Sequence, residues 1–176
     1  MTSASGKPHL HIENDNRLDN VFESTPKRVR EALARAPALK DKLRVTVGYS
    51  GDKLERALKT ADALFCWKIN FHGIEKRAPN LKWIHIHGAG VEHLLPLDWL
   101  PKGMKLTNSS GVHGRRAVEY AATAILMLNN RIPELVTHQR ARRWKQCFNS
   151  SIGGKTLLII GVGRIGAGVA RWAKSM

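Results

Sequence analysis

Apolar and polar residues change period several times along the chain, and each change marks an element. Residues 43–49, LRVTVGY, alternate apolar and polar, the two-residue period of a strand. Residues 63–67, ALFCW, form a continuous apolar run, as expected of a strand covered on both faces. Residues 81–87 and 104–108 predict two further strands, and 9–13 a short one. Between them the spacing turns helical. Val29, Ala32, Leu33 and Ala36 repeat at helical intervals behind Thr25, which can cap free N–H groups, and Pro26, which has no N–H to leave unpaired. Pro37 stops that run. Leu54, Ala57, Leu58 and Ala61 share one side of a helix predicted from residue 52 to 60. Strands alternating with helices predict an α/β fold with a parallel sheet and helices on both faces.

The second half reads differently. Residues 117–130 are apolar almost all round, with Val118, Ala121, Ala122, Ile125, Leu126 and Leu128, which predicts a helix buried inside a domain or between subunits. Pro133 opens a polar helix expected to carry Arg140, Arg142, Arg143 and Lys145 as a solvated face. Residues 155–160 predict a buried strand, 161–166 a glycine turn, and the residues up to 174 a helix. The composition shift at residues 111–114 divides the chain into domains 1–113 and 114–176.

Gly161-Val-Gly163-Arg-Ile-Gly166 fits GxGxxG, and its setting between an apolar strand and a helix is the one that pattern needs. Gly161 allows the tight turn, Gly163 lets backbone approach a pyrophosphate, and Gly166 lets the helix pack against its strand. The N–H groups of Arg164 and Ile165 are the expected donors. The acidic residue that holds the adenosine ribose falls about 20 positions beyond such glycines, past Met176. The returning strand of the βαβ unit is also not among these residues. Leu157, Leu158, Ile159 and Ile160 would then lack neighbours, at a cost of roughly 1.5–3 kcal/mol each. The expectation is a fragment, or a chain that requires a partner.

A second loop, His87-Gly-Ala-Gly-Val-Glu-His93, follows a predicted strand. Small residues at Gly88, Ala89 and Gly90 leave backbone N–H groups exposed, a cradle suited to a carboxylate. His85 and His87 share a strand face with Trp83, and His93 lies close in sequence. No Cys or Asp completes a ligand set, so no metal is expected. His113 precedes a helix, but no carboxylate at useful spacing orients it, and it receives no catalytic role.

Composition narrows the class. The 176 residues are 43% hydrophobic and 24% charged, a globular balance. The longest apolar run is too short to span a bilayer, and the first eight residues lack the apolar core of a secretory signal. Cys66 and Cys147 are far apart and form no CxxC pair, so a reducing cytoplasm is expected. The formal charge of +15 is the abnormal number, and it suits acidic partners or substrates. Its charges are spread along the chain, and no nucleic-acid motif accompanies them.

Three stretches in order, LKWIHIHGAGVEHLL, LTNSSGVHGRRAVEYAATAILMLNNRIPEL and GGKTLLIIGVGRIG, resemble the D-isomer-specific 2-hydroxyacid dehydrogenases. The resemblance covers residues 43–176 well and the first forty poorly. It implies a flavodoxin-like substrate domain followed by the first β-α unit of an incomplete Rossmann domain, with NAD or NADP bound between substrate and nucleotide domains. It implies hydride transfer between that cofactor and a small 2-keto or 2-hydroxy acid, and a homodimer supported by the helix that begins at Val118-Glu119-Tyr120. It places Gly88, Ala89 and Gly90 at the substrate carboxylate, and Gly161, Gly163, Arg164, Ile165 and Gly166 at the pyrophosphate. The family's catalytic arginine, glutamate and histidine follow the glycine turn, so no catalytic residue is expected in this chain and cofactor binding is expected to be weak or absent. The principal reading is therefore a truncated, inactive oxidoreductase. One alternative is a non-catalytic module whose basic surface binds nucleic acid or another acidic partner; another is a two-chain enzyme.

Overall fold

The computed structural model describes residues 6–18, 22–39, 41–49 and 52–176, with backbone alone at Asp52. Residues 1–5, part of the stretch read for targeting, lie outside them. The chain divides into two compact units, Met1–Ser110 and Gly111–Met176.

The first unit is built on five strands, β1 (His9–Glu13), β2 (Arg44–Gly48), β3 (Ala63–Cys66), β4 (Trp83–Ile86) and β5 (Lys105–Asn108). All neighbours pair in parallel, in the order β2-β1-β3-β4-β5. This is the doubly wound, flavodoxin-like order, whose winding reverses between β1 and β3. Helices α1 (Pro26–Ala34), α2 (Asp52–Leu58) and α3 (Ile74–Arg77) connect them. Thr25 caps α1 as its position predicts, its Oγ1 accepting the Arg28 N–H at 3.2 Å with Pro26 in the first turn.

Register decides what each face of the sheet buries. His11, Leu64, Ile84 and Leu106 stand in one cross-strand row, and Glu13, Cys66 and Ile86 in the next. On this face Leu64, Cys66, Ile84 and Ile86 meet Leu58 of α2, Ile74 of α3 and the loop residues Phe71 and Leu81 to form the core. Burial pushes the Cys66 thiol up to about 12, so it packs as an inert apolar group. The opposite face is thinner than the expected double cover. Ala63 and Phe65 are only half-buried and α1 has no buried residue. The apolar run of β3 thus has one face fully packed rather than two.

The same core face carries a polar strip on β1. His9, His11 and Glu13 are all buried. They are tolerated because each finds a partner. The rings of His9 and His11 both reach the Thr46 hydroxyl, at 2.7 and 2.8 Å, and His11 Nε2 bonds Glu13 Oε2 at 2.9 Å. His9 Nδ1 also meets Thr60 Oγ1 at 3.0 Å.

Three imidazoles in this unit sit below their ordinary value: His9 through burial and the neighbouring Arg44, His85 through burial, and His87 through burial and the nearby His85. The folded protein therefore binds fewer protons than the unfolded chain as pH falls through about 6.5, and stability falls with it. The expected outcome is a urea midpoint that drops between about pH 7.5 and about pH 5.5, before carboxylates titrate. A midpoint unchanged or higher at the acidic end would contradict this assignment.

The second unit contains α4 (Gly114–Asn129), α5 (Ile132–Arg140) and α6 (Arg164–Lys174). Its main contact is α4 against α6, where an added Cβ on Gly168 would lie 2.5 Å from Val118 Cγ2. Close approach of the two helices thus depends on a glycine.

Three expectations change in this unit. The apolar helix α4 buries only Ala122, and Tyr120 is 77% exposed, because α6 covers a single stripe of it. The basic cluster does not share a helix face. The helix α5 ends at Arg140, Arg142 takes a left-handed φ of 49°, and Arg143, Trp144 and Lys145 follow outside it. Lys145 and Arg131 instead clamp Glu134, holding its carboxyl down at about 2. Finally, residues 155–160 form no strand pairing, and Leu158 and Ile160 are 82% and 93% exposed. A strand exists only through a neighbour's ladder, and none of the described strands supplies one here.

Candidate functional site

Two loops carry the candidate chemistry, one in each unit. The first follows β4. His87 N–H donates to the Cys66 carbonyl at 3.1 Å and Ser109 N–H donates to the Gly88 carbonyl at 2.9 Å, so the loop is rooted on both neighbouring strands. Beyond these roots, the N–H groups of Ala89 and Gly90 donate to no acceptor among the described residues. The loop therefore presents unused backbone donors at the carboxyl end of a parallel sheet, where ligands of such folds sit. The exposed Glu92 side chain lies against Gly90, touching it only with its flexible end.

Gly88 is glycine for a steric reason. A Cβ there would lie 1.9 Å from Trp67 Cζ3. Trp67 cannot easily retreat, since its ring stacks on His93 at 4.2 Å and meets the edge of His87 at 5.4 Å. His93 is itself tied to the Trp67 carbonyl at 3.2 Å. Trp67 and His93 thus buttress the loop, a role sequence reading missed. The parallel register, which pairs Cys66 with Ile86, was the signal that would place Trp67 beside the loop.

The histidines read as possible ligands are otherwise engaged. His85 meets Thr107 Oγ1 at 2.8 Å and Ser109 Oγ at 3.1 Å, and stacks on Phe65. Among the described residues no three His, Cys, Asp or Glu side chains converge as a metal site. His87 instead lines a cavity of about 200 Å³ at the carboxyl ends of the strands, together with Glu13, Asn14, Asp15, Tyr49 and Phe65. Arg17 donates to both Asp15 oxygens, at 2.8 and 2.6 Å, and holds that carboxyl below its usual range.

The second loop leads into α6. Gly161 has φ +88°, in the left-handed region that favours glycine. Gly163 caps the helix with extended backbone, and a Cβ on it would meet nothing within 4 Å. Its neighbourhood is open to an approaching group. Gly166 is the reverse case: a Cβ there would lie 2.0 Å from the Gly161 carbonyl oxygen. The turn folds back directly onto the first helical turn. The first intrahelical bond of α6 runs from Ala167 N–H to the Gly163 carbonyl at 2.9 Å. The N–H groups of Arg164 and Ile165 therefore lie in the first turn, at the positive end of an eleven-residue helix.

Among the described residues no helix is long and apolar enough to cross a membrane.

Residues 122–176 match the profile of the D-isomer specific 2-hydroxyacid dehydrogenase, NAD binding domain. Over 131 residues the chain is 30% identical to a glyoxylate reductase of Thermofilum pendens, an alignment spanning 69% of this chain and 38% of that one. A D-isomer specific 2-hydroxyacid dehydrogenase family protein of Aeromonas salmonicida superposes with a TM-score of 0.68 at 26% identity, covering 96% of this chain and 51% of that one. A D-isomer specific 2-hydroxyacid dehydrogenase of Xanthobacter autotrophicus, solved with NADPH and MES, shares the fold with a TM-score of 0.68 at 22% identity, covering 96% of this chain and 50% of that one. The chain thus spans about half the length of these structures and less of the curated relative. The ordered sheet, the two glycine loops and these likenesses agree, and the chain belongs to the D-isomer-specific 2-hydroxyacid dehydrogenase family.

Proposed function

We propose that these residues supply the substrate-carboxylate loop and the pyrophosphate loop of an NAD(P)-dependent oxidoreductase acting on a small 2-keto or 2-hydroxy acid. Residues 1–113 are then the substrate-binding domain, and 114–176 the connecting helices and the start of the nucleotide-binding domain. The carrying observation is the glycine turn, tight at Gly161, open at Gly163 and closed onto its helix at Gly166. Those features fit a dinucleotide: an open approach over Gly163 and two forward N–H donors, on Arg164 and Ile165, at the positive end of α6. A nicotinamide ring, when bound, supplies or accepts the hydride.

The chain's own contribution is binding and orientation. Ala89 and Gly90 would hold the substrate carboxylate through backbone N–H groups, with Gly88 keeping their loop against Trp67. Hydride transfer to a keto acid also needs a proton donor. The imidazoles that bound the first loop are engaged in its packing, His93 stacked on Trp67 and bonded to its carbonyl and His87 against Trp67 and Phe65, so turnover by these 176 residues alone is not expected. Residence in a reducing compartment such as the cytoplasm, suggested by the free Cys66 and Cys147, and a homodimer complete the reading.

Amide NMR of the 176-residue chain with NADH or NADPH tests this directly. Even weak binding should shift the N–H signals of Arg164 and Ile165, while glyoxylate or hydroxypyruvate gives no measurable cofactor oxidation. Silence at those two amides would sink the pyrophosphate assignment. Sustained oxidation would sink the claim that the proton donor lies outside these residues.

A further inference from the structure

Away from both loops, a cleft of about 310 Å³ lies between α2 and the β1–β2 side of the sheet. His9, His11 and Thr46 line it from the sheet, and Arg44, Lys53 and Arg56 line it from the edge strand and the helix. No ion pair among the described residues uses any of those three cations. The sheet side is a saturated polar surface, because both rings spend their nitrogens on Thr46, Thr60 and Glu13. The Glu13 carboxylate on that face is already engaged by His11 Nε2 at 2.9 Å. The nearest carboxylate to His9 is Asp62, which accepts the His9 backbone N–H at 2.8 Å. The positive potential reaches the buried ring, since Arg44 helps to hold the His9 imidazole below its ordinary value.

We propose that this cleft binds a phosphate-type dianion, either free phosphate or the phosphate group of a small monoester, held by Arg44, Arg56 and Lys53. A guanidinium fork matches two oxygens of a tetrahedral oxyanion, and two such forks with an ammonium satisfy its charge. The cleft is roughly ten times the ~30 Å³ share of a water molecule, which leaves room for an organic substituent. The site shares no residue with the loops at 88–90 and 161–166, so it is independent of the function proposed above.

Occupancy has a local reporter. The charged and titratable groups that act on His9 are Arg44, His11 and Asp62, with Lys53 and Arg56 lining the same cleft, and neutralising Arg44 makes the ring easier to protonate. The experiment titrates the 176-residue chain with inorganic phosphate and, separately, with glycerol phosphate, following the ring protons of His9 and His11 by NMR. The expected result is a saturable shift and an upward move of the His9 titration midpoint. Arg44→Gln and Arg56→Gln should each weaken binding about tenfold, the loss of a charge-assisted hydrogen bond, while Arg140→Gln leaves it unchanged. Tighter glycerol phosphate identifies a monoester as the ligand type, and equal or tighter phosphate identifies the free ion. Both arginines are exposed, and Lys53→Gln serves as a third variant if either fails to fold. A shift that never saturates, or one that is the same in the variants as in the parent chain, overturns the proposal.

Discussion

Gly166→Ala should destabilise the second unit by about 3 kcal/mol, at the upper end for overpacking. The direction is informative because the ordinary expectation is the opposite. Alanine inside a helix gains roughly 0.5–1 kcal/mol over glycine. At Gly166 the new Cβ would stand 2.0 Å from the Gly161 carbonyl oxygen, a backbone atom that cannot swing aside. Either α6 moves off its turn or the turn opens, and in both cases the N–H groups of Arg164 and Ile165 lose their aim. Gly114 provides the contrast, since it lies in the first turn of α4 and its Cβ would meet nothing within 4 Å. Gly114→Ala should be neutral or stabilising. Chemical denaturation of the two variants, followed through the amide NMR signals of α6, separates them. An alanine at 166 as stable as the parent would remove the close turn-to-helix contact from the account.

The second large effect is expected at Gly88. Gly88→Ala puts a methyl carbon 1.9 Å from Trp67 Cζ3, and the ring is braced by His93 and His87. A cost of about 2–3 kcal/mol in the first unit follows from overpacking, with displaced amide signals at Ala89 and Gly90. Trp67→Leu alone removes buried ring surface and should also destabilise. Combined, the two changes should recover part of the loss, because the shortened side chain vacates the space that the methyl needs. The interaction energy from the four-protein cycle should reach at least about 1 kcal/mol, and strictly additive costs would mean that Trp67 does not set the loop. The cycle also links stability to the proposed role. If the loop holds a carboxylate through Ala89 and Gly90, the amides that move in Gly88→Ala are the ones that would touch substrate.

Much of the fold was legible from one dimension. Period-two and continuous apolar runs located all five strands, and the Thr25-Pro26 pair located the start of α1. The glycine turn was readable because its three positions have separate steric reasons, and each reason is local. Other features were not readable. The strip of His9, His11 and Glu13 looks like the solvated side of an alternating strand, yet it is buried. It is buried because β1 lies between β2 and β3, and the hydroxyls that satisfy it come from Thr46 on β2 and Thr60 after α2. Strand order is a long-range property, and hydrophobic pattern alone does not report it. The apolar helix α4 failed in the opposite sense. Pattern reports what a helix is suited to bury, whereas its actual cover depends on which neighbours pack against it.

The sequence by itself determined the kind of element along the first unit and the backbone shape of the glycine turn, because both follow from periodicity and from steric limits within a few residues. The strand expected at 155–160, by contrast, needed a neighbour. Only the tertiary structure decided that Trp67 braces Gly88, that two histidines share the Thr46 hydroxyl, and that three cations line the cleft beside them. The Trp67 and Thr46 contacts join residues more than twenty positions apart, and parallel register, which no local pattern encodes, sets which side chains meet.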